Sequence, residues 1–217
     1  MAGVCARFGR RHMLAVAAGL LVLAPLAESA PAPVSSPTAE QVVQGLAQDI
    51  WTTLNTKDLD DSSRVDQLLM MLEARTDVPL ISRLALGRYW NQLPEAQQQE
   101  YQELFRDVVI RSMARRLNGY AEDAKGPIEE RFQILSSGPA GDDDMLVRSK
   151  VFPKNGQPLA LDWRLRAGDA GPVIIDLIVE GASLLVSQRS EFAAVIERQD
   201  LDGLLTELRA RADSARS

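Results

Sequence analysis

Cysteine and histidine are almost missing from this chain, with one of each, Cys5 and His12, in 217 residues. Both precede an apolar run with the layout of a removable leader. The mature chain is therefore expected to carry no thiol, imidazole or disulfide. That excludes Cys–His and Ser–His nucleophiles and metal sites built on thiolate or imidazole. Without disulfides, an exported chain depends on its apolar core. Lysine is also scarce, and a formal charge of −6 argues against nucleic acid, whose binding requires neutralised phosphates. It also argues against direct adhesion to anionic lipid surfaces. Neither a cofactor nor a metal is expected.

The N-terminus reads as an export signal. Arg7, Arg10 and Arg11 form a positive region ahead of the uncharged run from Met13 to Leu23, which is too short to span a bilayer. Small-x-small cleavage signals fall between residues 27 and 32, so residues 1–29 are assigned to the leader. The Arg10-Arg11 pair also resembles a twin-arginine signal. Removing three arginines and Glu28 takes the formal charge from −6 to −8. Residues 30–37, rich in Pro, Ala and Ser, read as a tether. Residues 38–212 read as one domain, followed by a short tail at 213–217.

Helical periodicity runs through the first half of that domain. Thr38 with Gln41 fits a capping box ahead of a helix to about Asn55, with Val42, Val43, Leu46, Ile50 and Leu54 on one face. Further helices are predicted over Ser63–Arg75 and Leu80–Trp90, followed by a long one from Pro94 to Leu117. Asn118-Gly119 closes the last of these. After Gly126-Pro127 the period becomes twofold. Strands centred on Phe132/Ile134, Met145/Val147/Val151, Leu159/Leu161/Trp163/Leu165 and Val173/Ile175/Leu177/Val179 alternate with polar residues. Asn155-Gly156 marks a hairpin. Two helices, near Ser190–Arg198 and Asp200–Ala212, end the chain. The fold class is α+β: a curved four-stranded antiparallel sheet covered by helices.

Carboxylates offer little chemistry. Asp142-Asp143-Asp144 lacks the spacing of a calcium loop and reads as a hairpin turn. Asp176 and Glu180 are too far apart along one strand to act as an acid/base pair, and pairing with Arg148, Arg164 or Arg166 is the simpler role. Ser183 lies in Gly-Ala-Ser-Leu, outside any nucleophile motif, and suits a hydrogen-bonding or capping role at a strand-to-helix corner.

Several segments together resemble the MlaC (toluene-tolerance) family of periplasmic phospholipid carriers. Leu84-Ala85-Leu86-Gly87-Arg88-Tyr89-Trp90 matches that family's helix end, and Tyr101, Phe105 and Tyr120 fall at its aromatic positions. Val147-Arg148-Ser149-Lys150-Val151 and Leu161-Asp162-Trp163-Arg164-Leu165 resemble its strands. The most distinctive match is Asp176-Leu177-Ile178-Val179-Glu180-Gly181-Ala182-Ser183-Leu184, completed by Arg189 and Phe192. Gly171-Pro172-Val173 and Ser187-Gln188 depart from the pattern.

The resemblance implies a periplasmic phospholipid shuttle with its acyl chains in an apolar cavity between sheet and helices, an NTF2-like element beside a helical subdomain. It implies docking to the MCE-domain subunit of an inner-membrane ABC transporter and to an outer-membrane lipoprotein–porin complex, as a monomer, with no enzymatic step. Two acyl chains carry roughly thirty methylenes, so exposing them to water would cost on the order of 25 kcal/mol, and only a deep site can replace the bilayer. Apolar periodicity on elements expected to face each other nominates Leu104, Phe105, Val108, Met113, Leu161, Trp163, Ile175 and Leu177 as the cavity wall. Arg88, Arg111, Arg115 and Arg189 are candidates for a headgroup phosphate or an acidic partner, with surface ion pairing as the simpler role. The rival readings are a carrier of another hydrophobic ligand, an adaptor binding protein alone, and an isomerase-like enzyme using Asp162 or Asp176.

Overall fold

Thr38 opens the first helix as the pattern demands: its hydroxyl accepts the Gln41 amide while the Gln41 side chain accepts the Thr38 amide. The computed structural model describes residues 37–154 and 156–216. The leader, and all of the tether but Pro37, lie outside the described residues. Helix α1 is Ala39–Asn55 and α2 is Asp61–Arg75, the latter capped by Asp60 through the Ser63 amide. Helix α3, Val78–Leu86, is capped by Asp77 and gives way to a 3-10 turn over Gly87–Gln92. The predicted Pro94–Leu117 helix is continuous but not uniform. Helix α4, Glu95–Phe105, passes through a π-helical turn at Arg106–Ile110 into α5, Arg111–Asn118.

Five antiparallel strands follow in sequential order: β1 (Phe132–Pro139), β2 (Asp144–Val151), β3 (Leu159–Gly168), β4 (Gly171–Val179) and the two-residue β5 (Ala182–Ser183). The fifth strand is an addition to the expected four. It exists because the chain reverses at Glu180-Gly181, both at positive φ, and pairs briefly before entering the last helix. Strands β2 and β3 form an antiparallel hairpin whose ladder ends at Val151–Leu159; Asn155 of the Asn155-Gly156 signal lies outside the described residues. Helix α6, Leu184–Arg216, begins earlier than expected and bends at Asp200, where φ is 62°. The two predicted terminal helices are the two sides of that bend.

A bulge changes the phase of the fourth strand. Leu177 faces Trp163 across the ladder, and Asp176 faces Arg164, but Leu165 then faces Ile174, so Ile175 is the extra residue. Strict alternation would have aligned Val173, Ile175 and Leu177 on one face. Instead Ile174 joins Leu165 on the inner side. Helices α1, α3 and α6 are the sheet's main helical neighbours; the α4–α5 helix packs against α2, α3 and α6. The expectation that the long central helix faces the sheet is therefore corrected. The stripe of α1 takes that place.

Candidate functional site

The apolar interior divides in two. The first cluster joins α2 to α6 and centres on Tyr101, Phe105 and Phe192, whose rings pack at centroid separations of 6.1–6.3 Å. Trp90 adds an edge-on contact at 6.2 Å, and the Tyr101 hydroxyl donates to the Ser82 carbonyl at 3.0 Å. The second cluster joins Val42, Val43 and Leu46 of α1 to Val147, Trp163, Leu165 and Ile174 of the sheet. Ile50 and Trp51, at the end of α1, are half-buried and pack against both clusters. They mark the seam.

The eight nominated wall residues fall on both sides of this seam rather than around one space. Leu104 and Phe105 are interior to the helical cluster, and Val108 and Met113 are half-buried at its margin. Trp163 is interior to the sheet cluster, with its indole N–H donating to Ser149 Oγ at 2.9 Å. Leu161 and Leu177 are half-buried at that cluster's margin, and Ile175 is fully buried but belongs to neither cluster. Four of the eight thus behave as closed core. The marginal four, with Ile50 and Trp51, are the apolar surfaces that can still gain by being covered. Trp51 escaped the sequence reading because it lies beside the α1 stripe rather than on it.

The inner sheet face is covered unevenly. Val147, Leu165 and Ile174 are closed off, whereas Val151, Leu161 and Val179 are half-exposed, and Leu159 and Ala182 are exposed. In register, Val151 faces Leu159, and Ser149–Leu161–Val179–Ala182 form the next row. Exposure therefore rises along the face towards the β2–β3 connection. An apolar sheet face that opens at one end is a site for an apolar ligand or partner. A surface hollow of about 470 Å³ lies elsewhere, at the bend of α6, where Leu93, Ile196 and Leu201 are joined by Gln92, Gln97, Asp200 and Asp202, two of them carboxylates that suit an acyl chain poorly.

The nominated cations have defined roles. Arg189 donates from Nε to the Leu84 carbonyl at 2.8 Å, satisfying an open carbonyl in the last turn of α3, and its side chain lies against Gly87. Two parts of the family resemblance, Leu84–Trp90 and the run completed by Arg189, thus meet in space. Arg88 lies over the Tyr89 ring at 4.9 Å, bonds its hydroxyl, and approaches Glu197 at 3.9 Å. Arg111 pairs with Asp66 at 2.9 Å, and Arg115 is exposed one turn later on α5. Arg88 and Arg189 border the Gly87 corner, while Arg111 faces α2.

The carboxylates are structural. Asp176 Oδ2 accepts from Ser183 Oγ at 2.6 Å and Oδ1 from the Leu185 amide at 3.0 Å, while Ser183 Oγ accepts the Val186 amide. A strand side chain therefore caps α6, in place of the expected arginine pairing. Glu180 accepts the Ala160 amide and donates its own to the Ala160 carbonyl. Arg148 approaches Asp162 at 3.9 Å. Asp144 is the buried member of its triplet, held by Arg164 at 2.5 Å and Arg166 at 2.7 Å. Hydrogen bonding from Arg166 and Arg164 keeps its carboxyl below the ordinary range against an opposing cost of burial. Among the described residues no cluster of acidic or soft side chains is arranged to hold a metal ion, and no helix is long and apolar enough to cross a membrane.

The family model described as MlaC protein matches residues 41–210. The intermembrane phospholipid transport system binding protein MlaC of Haemophilus influenzae is 22% identical over 131 residues, which is 58% of each chain. The chain thus spans little more than half of that relative's length. A solved phospholipid-binding protein from Ralstonia solanacearum, in complex with a phospholipid, superposes with a TM-score of 0.65 at 26% identity. That match covers 83% of this chain and all of the other.

Proposed function

Since the chain belongs to the MlaC family, we propose that it is a periplasmic phospholipid carrier whose acyl chains lie between the two apolar clusters. The observation that carries this reading is the seam: Ile50 and Trp51 join a closed helical core to a sheet face that opens at one end. Leu161 and Leu177 on the sheet side, with Val108 and Met113 on the helical side, supply the apolar surface. Leu104, Phe105, Trp163 and Ile175 support it from behind. A phospholipid-bound relative of the same fold favours a lipid over another apolar ligand. The binding names of the relatives favour carriage over catalysis, as does the use of Asp176 as a helix cap.

The carrier shuttles between an outer-membrane lipoprotein–porin complex and the MCE-domain subunit of an inner-membrane ABC transporter. The periplasm lacks ATP, so the carrier cannot itself drive transport by nucleotide hydrolysis, and directional bias comes from its partners. Arg88, Arg111, Arg115 and Arg189 are offered for a headgroup phosphate or an acidic partner surface, three of them exposed and Arg111 half-buried beside Asp66. The test is extraction of the purified protein followed by transfer of labelled phospholipid from donor to acceptor vesicles. Co-purifying phospholipid with protein-dependent transfer supports the reading. Absence of both overturns it, and leaves the adaptor reading.

A further inference from the structure

The segment from Gly119 to Pro127 crosses from the end of α5 towards the sheet without regular helix or strand. Its backbone is held by local bonds, such as Ala121 to Asn118, Ala124 to Tyr120 and Lys125 to Asp123. Ala121 and Ala124 rest on the helical cluster with little apolar area, and Tyr120 is exposed. From outside the segment, Trp51 Nε1 donates to the Gly126 carbonyl at 3.0 Å, across 75 residues of sequence. Gly126 has φ 95° and open space around its Cα. The backbone can turn there only because the residue is glycine.

Trp51 therefore holds three contacts at once: the helical cluster, the sheet cluster and Gly126. An acyl chain entering the seam has to come between contacts that this one side chain makes. An indole cannot follow both clusters as they are parted, and its N–H is directional, so displacing the ring lengthens the bond to Gly126. From this geometry, and resting on the carrier reading above, we infer that Trp51 is a positioning residue that couples lipid occupancy of the seam to the Gly119–Pro127 segment. Loading releases the latch and frees the segment; unloading restores it. Binding lipid thus works against one hydrogen bond, and the carrier's affinity is lower than its apolar surface alone would give. A shuttle that must give up its cargo benefits from that reduction.

The experiment has two readouts on the full mature protein, using vesicles of phosphatidylethanolamine and phosphatidylglycerol as the lipid source. Amide exchange over residues 120–126 is expected to accelerate when wild type is loaded, while exchange at Val147 and Leu165 is unchanged. Trp51→Phe keeps an aromatic ring but loses the donor, so its segment should exchange fast without lipid. It should also bind lipid about two- to tenfold more tightly, the range a single net hydrogen bond allows. Gly126→Ala strains the acceptor side without touching either cluster and should act in the same direction. Segment exchange that ignores both lipid and Trp51→Phe overturns the latch. Accelerated segment exchange in both variants without any change in lipid affinity overturns its role in cargo release. If wild type takes up no lipid at all, the carrier reading fails and the coupling fails with it, whereas acceleration in unloaded Trp51→Phe still reports the bond itself.

Discussion

Single residues at the corners carry more structural weight here than their neighbours. Gly87 ends α3 at φ 59° and ψ −126°, a region essentially closed to other residues, while an added Cβ would meet Arg189 only at ordinary contact distance. Gly87→Ala should therefore lower stability by about 1–3 kcal/mol through backbone strain, read as a drop in the denaturant midpoint. Asp144 gives a pH signature. Its folded pKa lies below the unfolded value of about 3.9, so its stabilisation is complete above that value. It is lost as pH falls through the folded pKa. Asp144→Asn should cost about 1–3 kcal/mol at neutral pH, discounted because both arginines are partly exposed. The variant should also show a flatter fall in stability below pH 4 than wild type in acid titration of thermal unfolding.

Elements show where local sequence suffices and where it does not. The α1 capping box was legible because both partners lie within one turn, and the sheet's meander was legible from its twofold period. The β4 bulge was not: alternation places Ile175 with Leu177, and only the register against β3 shows that Ile174 takes the inner position. The cap on α6 was legible in Ser183, which accepts the Val186 amide, but its second acceptor was hidden, because Asp176 is contributed by β4. Asp176→Ala should remove both bonds and cost about 1–2 kcal/mol, with the early turns of α6 losing protection in amide exchange before the remainder of the helix. The candidate wall was half legible for the same reason. Periodicity identifies an apolar face but not what it meets, and the face of α4–α5 meets α2, α3 and α6.

Across the whole molecule, the distinction between closed core and seam margin separates folding from function. Phe105 is 1% exposed and packs against two aromatic rings, Tyr101 and Phe192, so Phe105→Glu should unfold the helical cluster and abolish everything at once. Leu177 is half-buried at the margin, so Leu177→Glu should keep the fold, by circular dichroism and thermal melt, while losing lipid uptake. The most direct measurement of the central claim is native mass spectrometry of the mature protein after exposure to phospholipid vesicles. The account predicts a species heavier than the bare chain by one phospholipid, strongly reduced in Leu177→Glu. A wild-type spectrum showing only the bare chain, from folded protein and under conditions that retain lipid on a known carrier, would contradict it.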